Sequence, residues 1–115
     1  KIETNPMKGT NLGEFEELVL LLVLILQEEA YFNRIKDEVY SQVQRNISMG
    51  ALHSTLSRLE DKHYLSSEMT GASSERGGRR KRVYELTALG KRTLKEAKEQ
   101  RQMLWNQVPD IAMNF

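Results

Sequence analysis

Nine consecutive apolar residues, Leu18 to Leu26, dominate the first third of the chain. The run is far shorter than the roughly 20 residues of a membrane-spanning helix. Acidic residues rather than basic ones flank it. Two readings remain, a buried strand or a helix buried on more than one side. The leucine content, and an acidic N-terminus of Glu14, Glu16 and Glu17 that suits the helix dipole, favour a helix starting near Gly13 or Glu14. With Phe15 added, that helix is apolar nearly all round. One side can face its own domain and the other a partner subunit. A chain of 115 residues can build one small domain with a modest core around it.

The rest of the chain has to wrap this helix. Lys1 to Asn11 is polar, holds Pro6 and Gly9, and reads as a flexible arm spanning 1–11, with Met7 a natural start within it. No signal peptide or anchor is expected, and a cytoplasmic location fits the absence of cysteine. After a turn over Gln27 to Tyr31, Asn33 is a suitable cap for a second helix running to about Gln44. Ile35, Val39 and Val43 make its inner face. A short connection leads to Ser48, an N-cap residue for a third helix reaching about Lys62. Leu52, Leu56 and Leu59 form its apolar stripe, and Gly50, His53, Ser54, Ser57 and Arg58 its opposite, polar face.

Composition then shifts. Tyr64 to Thr70 reads as a strand, Gly71 to Gly78 as a Gly/Ser-rich loop, and Lys81 to Leu86 as a second strand with Tyr84 and Leu86 on one face and Val83 on the other. Thr87 suits the N-cap of a last helix from Ala88 to about Val108, stopped by Pro109. Three helices, a hairpin and a helix make a mainly α chain with a small β-hairpin. This is the winged helix-turn-helix plan, over 12–87, followed by a helical C-terminal segment, 88–115.

Chemistry concentrates in two places. From Lys1 to Ala30 there are two basic and six acidic residues, a net −4; from Arg76 to Arg101 there are ten basic and three acidic, a net +7. The core of that basic field is Arg76-Gly77-Gly78-Arg79-Arg80-Lys81-Arg82. Adjacent cations repel one another, so the run gains nothing by itself, but beside phosphates each cation can release a counterion. The plainer reading is an edge strand guarded by charge. The run and the third helix together favour DNA. Helix-turn-helix proteins set the start of the corresponding helix against base edges, where serine donates or accepts. Gly50, His53, Ser54 and Ser57 would face the groove, and Arg58 would reach a phosphate or pair with Glu60 or Asp61. Arg76, Arg79, Arg80 and Lys81 would hold phosphates or enter the minor groove.

Enzymatic readings are weak. There is no cysteine nucleophile, His53 and His63 lack partners at metal-ligand spacing, and no phosphate-cradling loop is present. No catalytic residue, metal or cofactor is expected. The competing non-enzymatic reading is a winged-helix protein-interaction module that has lost DNA binding.

The segment Ile47 to Glu60, the run Gly77-Gly78-Arg79-Arg80-Lys81, the close Tyr84-Glu85-Leu86-Thr87 and the start Leu12-Gly13-Glu14-Phe15-Glu16-Glu17-Leu18 together resemble the PadR family of bacterial transcriptional regulators. The resemblance spans roughly Leu12 to Trp105, and the single last helix resembles the family's shorter branch. It implies a homodimer on palindromic double-stranded DNA, acting as a repressor that a small-molecule effector relieves. In that dimer the last helix would join the first, through Leu18, Leu22, Leu94, Ala97, Arg101, Leu104, Trp105 and Val108. Two Trp105 side chains would either enclose a planar effector or simply pack, and packing is the plainer reading. The chain departs from the family's usual residues at three positions: His53 stands where tyrosine is usual, Phe32 where glycine is, and His63 where a glycine follows the third helix.

Overall fold

The structure, a computed structural model, describes residues 12–70 and 80–114. The expected arm 1–11, the loop 71–78, and with them Arg76 and Arg79, lie outside the described residues. Helix α1 (Glu14–Leu26) is followed by a 3-10 turn (Gln27–Glu29), α2 (Phe32–Val43), α3 (Met49–Asp61), strands β1 (Leu65–Met69) and β2 (Arg82–Leu86), and α4 (Ala88–Asn106). A final 3-10 turn spans Asp110–Met113. This is the winged-helix order that the sequence predicts.

Helix α1 is the hub. Val19, Leu20, Leu22, Val23 and Leu26 are buried. Of these, Val19, Leu20, Val23 and Leu26 pack with Ile35 of α2, with Leu52, Leu56 and Leu59 of α3, and with Leu65, Tyr84 and Leu86 of the hairpin. Burial on this side leaves Leu21 (42% exposed) and Ile25 (57% exposed) pointing away from the core. The helix is thus covered on only one of the two sides its composition calls for.

Two of the three expected caps are formed. Ser48 Oγ accepts the Ala51 N–H at 3.0 Å, and Thr87 Oγ1 accepts the Gly90 N–H at 2.9 Å. Asn33 is not a cap. Helix α2 starts at Phe32, with Tyr31 as its N-cap residue in extended conformation. The cause is tertiary: Tyr31 forms a β-bridge with Val83, and the Tyr84 N–H donates to the Ala30 carbonyl at 2.9 Å. The chain before α2 is therefore tied to β2 at a single β-bridge, and that contact sets where the helix begins.

The hairpin pairs antiparallel, Leu65 opposite Leu86, Ser67 opposite Tyr84 and Met69 opposite Arg82. Its period of two turns Leu65, Tyr84 and Leu86 inward. Helix α3 ends in a Schellman motif. The His63 N–H donates to Glu60 (2.9 Å) and the Tyr64 N–H to Leu59 (3.0 Å), with His63 at φ 65°. Histidine in that left-handed conformation costs about 1 kcal/mol relative to glycine. Next to this corner, Gly90 lets α4 lie directly on the chain. A Cβ there would stand 2.2 Å from the Tyr64 carbonyl oxygen.

Candidate nucleic-acid interface

Helix α3 buries Leu52, Thr55, Leu56 and Leu59. At 100° per residue, the ridge opposite carries Gly50, Ser54 and Ser57, all exposed. A Cβ added at Gly50 would meet nothing within 4 Å, so no packing within the chain demands glycine there. The ridge is low as well as polar. Small side chains let the helix backbone come close to another surface, and two hydroxyls can donate or accept to it.

The flanks of this ridge are tied to other elements. On one side His53 lies against Phe32 at the start of α2, ring centroids 4.0 Å apart and planes 18° from parallel. Such a pair contributes about 0.5–1.5 kcal/mol beyond the area it buries. Two of the three departures noted in the sequence, Phe32 and His53, are thus one contact. On the other flank Arg58 Nε donates to Glu16 Oε2 at 2.8 Å, and Lys62 Nζ bonds both Glu16 oxygens at 3.0 and 3.1 Å. Arg58 pairs with α1 and not with Glu60 or Asp61. Glu16 is buried, and its Oε1 also accepts the Gly13 N–H at 2.9 Å. Burial acts to raise the Glu16 pKa, but the Gly13, Arg58 and Lys62 hydrogen bonds outweigh it and hold the carboxyl below its ordinary value. Arg58 is therefore a brace between α3 and α1, with its side chain half-exposed.

The wing root stands beside the His53 flank. Arg80, Lys81 and Arg82 are exposed. Lys81 Nζ sits 4.0 Å from the Tyr31 ring centroid, a cation–π contact that holds its stem against the start of α2. Arg82 Nη1 donates to Ser67 Oγ at 3.0 Å, and Ser67 Oγ donates to Glu60 Oε2 at 2.7 Å. This chain of bonds couples the hairpin to the last turn of α3. Contacts thus run from the stacked imidazole, beside the serine ridge, through the start of α2 to Lys81, and from the last turn of α3 through Ser67 to Arg82.

A second surface lies on α1 and α4. Leu94 and Ala97 are buried within the chain, as is Leu22. Leu18 is half-buried, and Arg101 Nη2 reaches Glu17 Oε1 at 3.1 Å. Beyond Ala97, α4 leaves the core. Leu104 (56%), Trp105 (57%) and Val108 (37%) are exposed, and Trp105 lines a groove of about 580 Å³ together with Leu21 and Leu24 of α1. A small chain rarely leaves so much contiguous apolar side chain in water.

Sequence reasoning missed Phe32, Tyr31 and Glu16 as organisers of the surface. Phe32 and Tyr31 carried no local signal, because their partners are distant in sequence. A buried glutamate at the third position of an apolar helix was a signal, read only as favourable to the dipole. Among the described residues no three His, Asp or Glu side chains come together as a metal site, and no helix is long and apolar enough to cross a membrane.

Comparison with known proteins is consistent in direction. The sequence model of the transcriptional regulator PadR-like family matches residues 20–96. A PadR family transcription regulator from hypervirulent Clostridium difficile R20291 is 29% identical, with TM-score 0.62 over 77% of this chain and 91% of its own. A PadR family regulator from Eggerthella lenta is 25% identical, with TM-score 0.63 over 89% of this chain and 88% of that one. A PadR-like regulator from Bacillus cereus shares the fold at 21% identity, TM-score 0.69, over 97% and 100% of the two chains. No curated protein matches the chain.

Proposed function

The chain belongs to the PadR-like family of transcriptional regulators, and from that premise we propose that it is a repressor binding palindromic operator DNA as a homodimer. The winged-helix unit, 12–87, is the DNA-binding part, and 88–115 the dimerising part. One observation supports it: the Gly50-Ser54-Ser57 ridge of α3 is exposed, and Lys81 at the wing root lies on Tyr31, next to the Phe32 that stacks on His53 beside that ridge. The ridge enters the major groove, where Ser54, Ser57 and the His53 edge meet bases. Arg80 and Lys81, with Arg76 and Arg79 from the wing, neutralise phosphates. The exposed apolar strip of α4, with Leu21 and Ile25 of α1, supports a second copy as the cover, giving half-sites about 34–36 Å apart. The groove beside Trp105 is where an effector would sit between α1 and α4. A repressor of this kind works in the cytoplasm, by occupying DNA that polymerase needs.

A salt titration tests the wing. With a duplex selected by the protein from a random pool, replacing Arg79 and Arg80 by alanine lowers the slope of log K against log salt by about 1–2 units. An unchanged slope refutes the phosphate role.

A further inference from the structure

We propose that Phe32 is a positioning residue for sequence readout: its ring covers one face of the His53 imidazole and fixes the ring's orientation, so that the imidazole edge is held toward a purine in the major groove. This rests on the operator-binding reading above.

Three observations carry it. First, the rings are 4.0 Å apart and nearly parallel, so one face of the imidazole is covered and its nitrogens, on the edge, stay open. Second, Phe32 is itself held. Its neighbour Tyr31 bridges Val83, the Ala30 carbonyl takes the Tyr84 N–H, and Phe32 packs as a half-buried side chain against the core. An exposed histidine on a helix otherwise turns freely among rotamers, and ordering it at a base would cost entropy. Here that ordering is done before DNA arrives. Third, His53 lies one turn from Gly50 and Ser57 on the same helix, beside the ridge rather than behind it. An imidazole nitrogen that donates fits the acceptors that purines display at N7, and O6 for guanine.

The stack and the readout are tested separately with the full chain. In the DNA-free protein, the His53 ring protons are shifted upfield by the Phe32 ring current and return in Phe32→Leu; unshifted resonances overturn the stack. Leucine keeps apolar bulk on the core, and a single cooperative melt shows that the fold survives. Wild-type protein is then used to select a motif from random duplexes. Phe32→Leu and His53→Ala each lose about tenfold discrimination at the same base pair. The double variant loses no more than either single one, and the salt slope is unchanged in all three. A 7-deazapurine at that position weakens wild type by a similar factor and leaves the variants unaffected. Phe32→Leu protein that keeps its discrimination, or that weakens on every duplex alike, overturns the positioning role while leaving operator binding standing. A wild-type chain that selects no motif overturns operator binding and this role together.

Discussion

Gly90→Ala separates local from tertiary control of this fold, because the two predict opposite signs. Gly90 lies in the first turn of α4, and in an isolated helix glycine is about 1 kcal/mol worse than alanine. Propensity alone therefore predicts stabilisation. In the folded chain the added Cβ would stand 2.2 Å from the Tyr64 carbonyl oxygen and 3.0 Å from its carbon, where contacts under 3.0 Å essentially never occur. The obstacle is backbone, so no rotamer change relieves it. Helix α4 would have to retreat by close to an ångström. That carbonyl also accepts the Thr87 N–H at 3.0 Å, and Thr87 Oγ1 donates to the His63 carbonyl at 2.6 Å. Retreat strains both bonds. Overpacking costs about 1–3 kcal/mol, and weakening these hydrogen bonds adds about 1 kcal/mol. Against the propensity gain the net is about 1–3 kcal/mol of destabilisation, or several degrees of melting temperature. Denaturant and thermal melts at one fixed protomer concentration measure it. Gly50→Ala is the control: it meets no obstacle and should leave stability unchanged or raise it by up to about 1 kcal/mol. A Gly90→Ala chain as stable as wild type would refute the close approach of α4 to Tyr64.

Three further outcomes follow from named contacts. Glu16→Gln should destabilise by about 1–3 kcal/mol at neutral pH, less than for a fully buried pair because Arg58 is half-exposed. The Glu16 pKa is lowered in the folded state, so its contribution is present above the ordinary value of 4.5 and is lost as pH falls through the lowered one. Melts of wild type and Glu16→Gln should therefore converge in acid, and a gap that persists there would place the effect in packing. His63→Gly relieves the φ 65° strain and should stabilise by about 0.5–1 kcal/mol, read as a rise in denaturation midpoint with unchanged slope. Leu104→Glu with Trp105→Glu alters only side chains that are more than half exposed, so the fold should stand while sedimentation shows monomer; a persistent dimer would move the interface off α4.

The sequence by itself determined the elements whose signals are local. Ser48 and Thr87 cap the helices they precede, because a cap is a bond to an N–H three residues on. Tyr84 and Leu86 face the core together because a strand alternates. The polar ridge of α3 was visible from helical spacing alone, and with it the central part of the surface proposed to read DNA. Tertiary structure decided what a window of a few residues cannot contain. The N-cap of α2 moved from Asn33 to Tyr31, which is bridged to Val83. Arg58 turned toward Glu16, 42 residues away, rather than toward its own helix. Of the expected dimer residues, helical phase put Leu22, Leu94 and Ala97 inside the chain, and it left open Leu21 and Ile25, which had not been expected there. Above all, Phe32 and His53 were two separate oddities in the sequence and are one stacked pair in the fold. Hydrophobic pattern is written along the chain; which two side chains share a surface depends on how helices pack, and that is settled only when α1 gathers the others around it.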